Sequence, residues 1–226
     1  MKKIEDVCIV VQARLGSQRV PMKMVREFAG TTLVDILFSK LKKINSLPIE
    51  NIYLSAYEQE LKTIAHKHGI NIFERSKLSA ESEGDPLSLI YEWHDQLPHK
   101  YVILISACNP LLTPETIDCF IDAFMKSNEE GAFAVFEKKT YYWNVDGSPL
   151  TDWKGSCIMN TKIVDPVYEA AHCLYASRLD VIKDGFWMDR RSPPEPKLFI
   201  MNELEAFDID YEWQFKLGEN LYKMEI

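Results

Sequence analysis

Val10-Val11-Gln12-Ala13-Arg14-Leu15-Gly16-Ser17-Gln18-Arg19-Val20-Pro21-Met22-Lys23 is the stretch on which the reading of this chain turns. It continues an apolar run, Val7 to Val11, that has the composition of a buried strand. Polarity then changes abruptly: Arg14, Arg19 and Lys23 follow, with Gly16, Ser17 and Pro21 among them. A strand that runs into a basic loop with a glycine and a hydroxyl suits a polyphosphate. Gly16 lets backbone approach an anion, free N–H groups point inward and the cations neutralise charge. The same residues also fit a solvated basic loop, because one glycine among cations is a weak motif.

The spacing Ala-Arg-Leu-Gly-Ser-x-Arg-Val-Pro-x-Lys, unbroken from Ala13 to Lys23, resembles the N-terminal signature of the CMP-sugar synthetases. These are cytidylyltransferases that activate acylneuraminate-type and 3-deoxy-octulosonate-type sugars.

At 226 residues the chain can bury one large domain, with or without an insertion. A hydrophobic content of 46% with 27% charged residues is ordinary for a globular protein. The net charge of −8 argues against a nucleic-acid partner, which would call for a basic face. The five cysteines (Cys8, Cys108, Cys119, Cys157, Cys173) form no Cys-x-x-Cys pair, so reduced thiols are expected rather than disulfides or a metal cluster. Met1 to Asp6 carries acidic residues where a secretory leader would have an apolar run, and no apolar run approaches a membrane span. A cytoplasmic protein with no membrane partner is expected.

Thr32 to Leu41 has helical spacing behind a Gly30-Thr31-Thr32 break and cap. Residues 51–55 and 70–73 read as strands, with a helix from Glu58 to His68 that Gly69 ends. Strand and helix alternating at these intervals predict a mostly parallel sheet covered by helices. Ligands of such sheets bind beyond the carboxyl ends of the strands, where the basic loop lies. Arg75 follows the third strand at that same edge, as a nucleotide contact or a solvated arginine. Residues 79–85 are polar enough for a flap. Pro86 opens a helix predicted to reach about Gln96.

A fourth strand, 102–105, runs into Ser106-Ala107-Cys108-Asn109-Pro110-Leu111 and then a Thr113-capped helix with Pro114 in its first turn. Ile117, Phe120, Ile121 and Phe124 form that helix's core stripe. Ser106 and Asn109, in the turn at a strand's end, are candidate acceptor contacts. Residues 132–136 read as a fifth strand, 140–149 as a hairpin with an Asp-Gly turn, 156–160 as a strand and 165–174 as a helix. Gly185 to Arg191 is an aromatic and basic loop: Phe186 and Trp187 fit a dimer contact or core, and Arg190 and Arg191 an acidic sugar or surface ion pairs. His94 and His172 read as structural. Near the end, Phe207-Asp208-Ile209-Asp210 would put both aspartates on one face of an extended chain, with Ile209 in the core. Two such carboxylates can share Mg²⁺; alternatively they close a strand, with Asp210 capping the helix that follows.

The resemblance covers about 4–125 and 196–222 and is faint between, where Lys154-Gly155-Ser156-Cys157-Ile158 loosely resembles an Asn-Gly-Ala-x-Tyr strand. It implies a Rossmann-like three-layer α/β/α nucleotidyltransferase fold, with a core of 1–138 and 195–226. Residues 139–194 would then form an insertion that makes a dimer and acceptor lobe. It implies a homodimer that uses CTP, a sugar acid and Mg²⁺. By the family's motifs, Ala13, Arg14, Gly16, Ser17, Arg19, Lys23 and Arg75 hold the nucleotide, with Lys23 and Arg14 catalytic. Asp208 and Asp210 hold the metal. Three departures stand out. Ser76 replaces a proline after Arg75, the 106–111 turn lacks the octulosonate branch's aspartate, and Met24 follows the lysine where the acylneuraminate branch often has asparagine. A same-fold enzyme with another base or phosphorylated acceptor, and a non-catalytic nucleotide-binding protein, are the alternatives.

Overall fold

Four strands make the first half of the sheet: the inner ones are buried on both faces, which is why they read as apolar runs, while the edge strand over 71–74 is half-exposed. In the computed structural model, which describes residues 2–81, 85–151, 159–184 and 196–224, these are β1 (Val7–Gln12), β2 (Ile52–Ala56), β3 (Asn71–Glu74) and β4 (Tyr101–Ile105). With β5 (Ala132–Lys138), β6 (Val167–Arg178) and β7 (Lys197–Ile200) they form one seven-stranded sheet, ordered β3-β2-β1-β4-β6-β5-β7. The β3-β2-β1-β4 half is parallel, as is the β5–β7 pair; β6 runs antiparallel to both its neighbours.

Helices α1 (Leu33–Leu41), α2 (Gln59–His68) and α5 (Pro114–Lys126) pack on Val7, Ile9 and Val11. On the other face Cys8, Val10 and Val102 meet the fully buried Trp93, with Leu179 and Ile182. The three-layer expectation is met, and so are the local signals. The Thr32 hydroxyl accepts from the Asp35 N–H at 3.1 Å and Thr113 caps α5. Gly69 ends α2 with φ +72°, where a side chain would be strained. Two short helices, α3 (Lys77–Glu81) and α4 (Leu87–Ile90), stand beside the sheet edge, and α6 (Glu212–Lys223) closes the chain.

Several expectations are corrected. The helix read over 165–174 is strand β6. Its Glu-Ala-Ala run favours helix locally, but the segment fills the gap between β4 and β5, and a helix there would leave both their ladders unpaired. Because β6 belongs to the main sheet, residues 139–194 do not stand apart from the core as a whole. The helix opened by Pro86 breaks at Tyr91 and continues as a 3-10 turn over Glu92–Asp95, which turns Trp93 inward. The 140–149 hairpin reduces to one bridge, Trp143 to Pro149, around Gly147. Residues 156–158 of the next expected strand, and Phe186, Trp187, Arg190 and Arg191, lie outside the described residues. Met159 and Asn160 are not in a strand.

Candidate active site

The basic loop leaves β1 with the Ala13 N–H still donating to the Ser55 carbonyl (3.1 Å), and the Leu15 N–H donates to Glu58 Oε1 (2.9 Å). Around Gly16 the space is open: a Cβ there would meet no atom within 4 Å. The strained position is Met22, with φ +55°. Its carbonyl accepts from the Val25 and Arg26 N–H groups, and the turn draws Lys23 inward until the residue is only 8% exposed.

An apolar cluster joins this loop to the far end of the chain. Val20, Phe28, Leu33, Ile36, Ile209 and Phe215 are buried together, and the Phe28 and Phe215 rings meet edge-on at 5.2 Å. Arg26 adds two 2.7 Å hydrogen bonds to Glu212 and lies over the Phe215 ring. Ile209 is therefore fixed in the core as expected, with Asp208 and Asp210 on either side of it. Lys23 Nζ donates to the Ile209 carbonyl and lies 3.9 Å from Asp210 Oδ1; Arg19 pairs with the same oxygen at 2.7 Å.

Asp208 is the less comfortable carboxylate. Burial pushes its carboxyl above the ordinary carboxylate range, Asp210 adds to this, and Lys23 and His172 oppose it. Its Oδ1 is buried without a hydrogen-bond partner. An orphaned buried carboxylate oxygen beside a second carboxylate fits a Mg²⁺ seat, since that ion takes one or two carboxylates and completes its shell with water and phosphate. Among the described residues no group of three or more His, Cys, Asp or Glu side chains could by itself hold a metal.

Two cavities flank these groups. One, of about 630 Å³, is lined by Gln12, Ala13, Arg14, Ser17, Arg19, Lys23 and Arg75, so all the expected nucleotide contacts except Gly16 line one space. The other, of about 710 Å³, takes Asp208 and Asp210 as one wall, with His172, Trp213 and Lys138 around it. The strand beside it is irregular: Phe133 pairs with Tyr175 but Val135 with Ala170, so β6 bulges between them. His172 sits in that bulge at φ +53° and its Nδ1 is 2.8 Å from the Tyr175 hydroxyl. No sequence signal marks His172, because its role depends on the bulge; Trp213 was equally silent as one aromatic on a terminal helix.

Ser106 and Asn109 line neither cavity. Ser106 Oγ accepts from the Cys108 N–H at 3.1 Å, and Asn109 Nδ2 donates to the Ala206 carbonyl at 3.1 Å. The Ile209 N–H donates to the Cys108 carbonyl at 3.0 Å. These bonds put the 106–109 turn behind the 206–210 segment, holding it in place. Burial raises the Cys108 thiol, so it stays protonated beside Lys23. Asp210 does not cap α6 with its side chain: Gln214 Oε1 accepts from the Asp210 and Tyr211 N–H groups instead.

The chain is 26% identical over 97% of its length, and 96% of the relative's, to post-translational flagellin modification protein B of Campylobacter coli. It is 21% identical over 98% of its length, and 97% of the relative's, to pseudaminic acid cytidylyltransferase of Campylobacter jejuni. Among solved structures it superposes on a CMP:2-keto-3-deoxy-manno-octonic acid synthetase complexed with CTP (TM-score 0.69, 12% identity, 97% and 99% of the two chains). It also superposes on the 4-diphosphocytidyl-2C-methyl-D-erythritol synthase of Anaerococcus prevotii (TM-score 0.67, 14% identity, 98% and 97%). Both likenesses show a nucleotidyltransferase fold. The profile of the cytidylyltransferase family matches residues 8–179, from β1 through the end of β6, and the chain belongs to that family.

Proposed function

We propose that the protein transfers CMP from CTP to a sugar acid of the nonulosonate or acylneuraminate type and releases pyrophosphate, in glycan biosynthesis. The observation that carries the reading is the meeting of Arg14, Ser17, Arg19 and Lys23 in one cavity, with Asp210 against Arg19 and Lys23 and with Asp208 and Asp210 together lining the second cavity. In this reading the triphosphate lies along the basic loop, and the acceptor enters the second cavity, across the two carboxylates from the nucleotide.

The acceptor hydroxyl oxygen bonds to the α-phosphorus as the bond to the pyrophosphate oxygen breaks, and the hydroxyl proton passes to water. Lys23, buried and already anchored on the Ile209 carbonyl, meets the charge that grows on the α-phosphoryl oxygens. Arg14 and Arg19 hold the departing pyrophosphate, and Ala13 and Arg75 face the nucleoside. Asp208 and Asp210 would hold Mg²⁺, which supplies charge neutralisation at the phosphoryl oxygens when bound. His172 and Trp213 orient the acceptor. The same reading includes a homodimer, supported by exposed apolar residues Trp143, Val145, Leu150 and Met159. Sedimentation at micromolar concentration checks that part.

The test follows pyrophosphate from CTP, Mg²⁺ and a panel of 2-keto sugar acids, sugar phosphates and alcohol phosphates. Release with a 2-keto sugar acid supports the reading. Release with phosphorylated acceptors alone overturns the acceptor class, and no release with any acceptor, together with no CTP binding, overturns the whole.

A further inference from the structure

Arg75 is buried, at 5% exposed, and among the described residues its guanidinium forms no ion pair. Burial and the neighbouring Arg14 cation both work against its charge. Two arginines facing one cavity repel each other, and something must hold each in place. Adjacent residues of α3 do so. Ser79 takes Arg75 twice, with its hydroxyl accepting from Nε at 2.9 Å and its carbonyl from Nη2 at 2.8 Å. The Ala80 carbonyl accepts from Arg14 Nη1 at 3.3 Å.

Ser79 is itself fully buried and fixed from two sides. Its hydroxyl donates to the Ile90 carbonyl at 3.0 Å, and that carbonyl also accepts from Gln12 Nε2 at 3.1 Å, at the end of β1. Its N–H donates to Ser76 Oγ at 3.1 Å. Ser76 gives both its N–H and its hydroxyl, the latter at 2.8 Å, to the Glu92 carboxylate. A proline at 76 would lack that N–H. A continuous line of hydrogen bonds thus runs from Glu92 through Ser76 and Ser79 to Arg75.

We infer that Ser79 is a positioning residue for the nucleotide: it holds the Arg75 guanidinium against the wall of the cavity, and Ser76 with Glu92 holds Ser79. The inference rests on the nucleotide site proposed above. With the clamp in place, Arg75 presents a fixed N–H edge to the nucleoside and CTP need not order it on binding. The repulsion from Arg14 is borne by the fold before the nucleotide arrives. Loss of the clamp therefore weakens ground-state binding and spares the chemical step.

CTP binding by calorimetry and initial rates are measured for the wild type, Ser79→Ala, Arg75→Met and the double variant. Ser79→Ala should weaken CTP binding about tenfold, the scale of one hydrogen bond to a charged group. Its kcat should stay within about twofold of the wild type, which marks loss of uniform binding. In the Arg75→Met background Ser79→Ala should add nothing, because it acts through Arg75. An equal loss in both backgrounds, an unchanged Kd, or a fall in kcat overturns the inference while leaving the nucleotide site standing. A wild type that does not bind CTP removes the site and the clamp together. If Ser79→Ala fails to fold, the exposed Ser76→Ala carries the test: Kd should rise about threefold in the wild-type background and not with Arg75→Met, and no rise overturns the inference.

Discussion

Arg19 and Asp210, 191 residues apart in the chain, meet at 2.7 Å across the mouth of the basic cavity. The Arg19 side chain is 55% exposed, so the pair adds little to the fold. In the proposed reading it joins a phosphate contact to a metal ligand, and the two assignments can be separated by substitution. Arg19→Ala should leave the urea midpoint unchanged and raise KM for CTP about tenfold, the scale of a charged hydrogen bond. A large loss of stability without a KM effect would make the pair structural.

Burial and the neighbouring Asp210 disfavour the charge of Asp208, and its Oδ1 has no hydrogen-bond partner. Asp208→Asn keeps its shape and removes the charge, so the metal-free protein should melt about 3 °C higher while turnover falls by two orders of magnitude or more. Differential scanning calorimetry in EDTA and the pyrophosphate assay read the two effects. A lower melting temperature with turnover retained would remove Asp208 from the metal seat.

Gly218 of α6 lies against the carboxylate-bearing segment: an added Cβ would come within 3.0 Å of the Phe207 ring and 3.3 Å of Ile209 Cδ1. Gly218→Ala should cost about 1–3 kcal/mol by overpacking. It should also lower kcat, because Asp208 and Asp210 ride on the residues displaced. Urea unfolding and kinetics on one preparation test the link.

His172 holds a left-handed backbone on a β-bulge and its ring lines the second cavity. His172→Gly should relieve the backbone and keep stability within about 1 kcal/mol. KM for the acceptor should rise with KM for CTP unchanged. Equal effects on both would place His172 outside acceptor binding.

Lys40 gives a pH prediction remote from the site. Burial lowers its amine to about 8, below its ordinary 10.5. Between those values the unfolded chain binds the proton more tightly, so Lys40's contribution to stability rises as pH rises from about 8 to 10.5. Other groups titrate there too, so the readout is a difference: wild type should gain stability relative to Lys40→Met from pH 8 to pH 10.

How far the sequence could be read depended on whether a signal was local. Thr32, Gly69 and the Thr113-Pro114 cap mark their helices through neighbours a few residues away, and they appear where expected. The basic loop and Asp208-Ile209-Asp210 were legible as candidate halves of one site through the family resemblance, and the fold brings Arg19 and Lys23 against Asp210. β6 was misread because its helix-favouring run is overruled by two strands distant in sequence, β4 and β5. His172 and the Ser79 clamp were invisible for the same reason: one depends on a register shift, the other on Ile90 and Glu92 folding back across α4. Ser106 and Asn109 stand at the expected strand end, yet their hydrogen bonds stabilise the 106–109 turn and hold the 206–210 segment.

The central claim is that the basic loop and the 208–210 carboxylates act as one nucleotidyl-transfer site. Pyrophosphate release from CTP and Mg²⁺ with a 2-keto sugar acid, comparing wild type with Asp210→Asn, tests it most directly. The account predicts acceptor-dependent release by the wild type and a loss of at least about a hundredfold in the variant. Equal rates from the two proteins would contradict it.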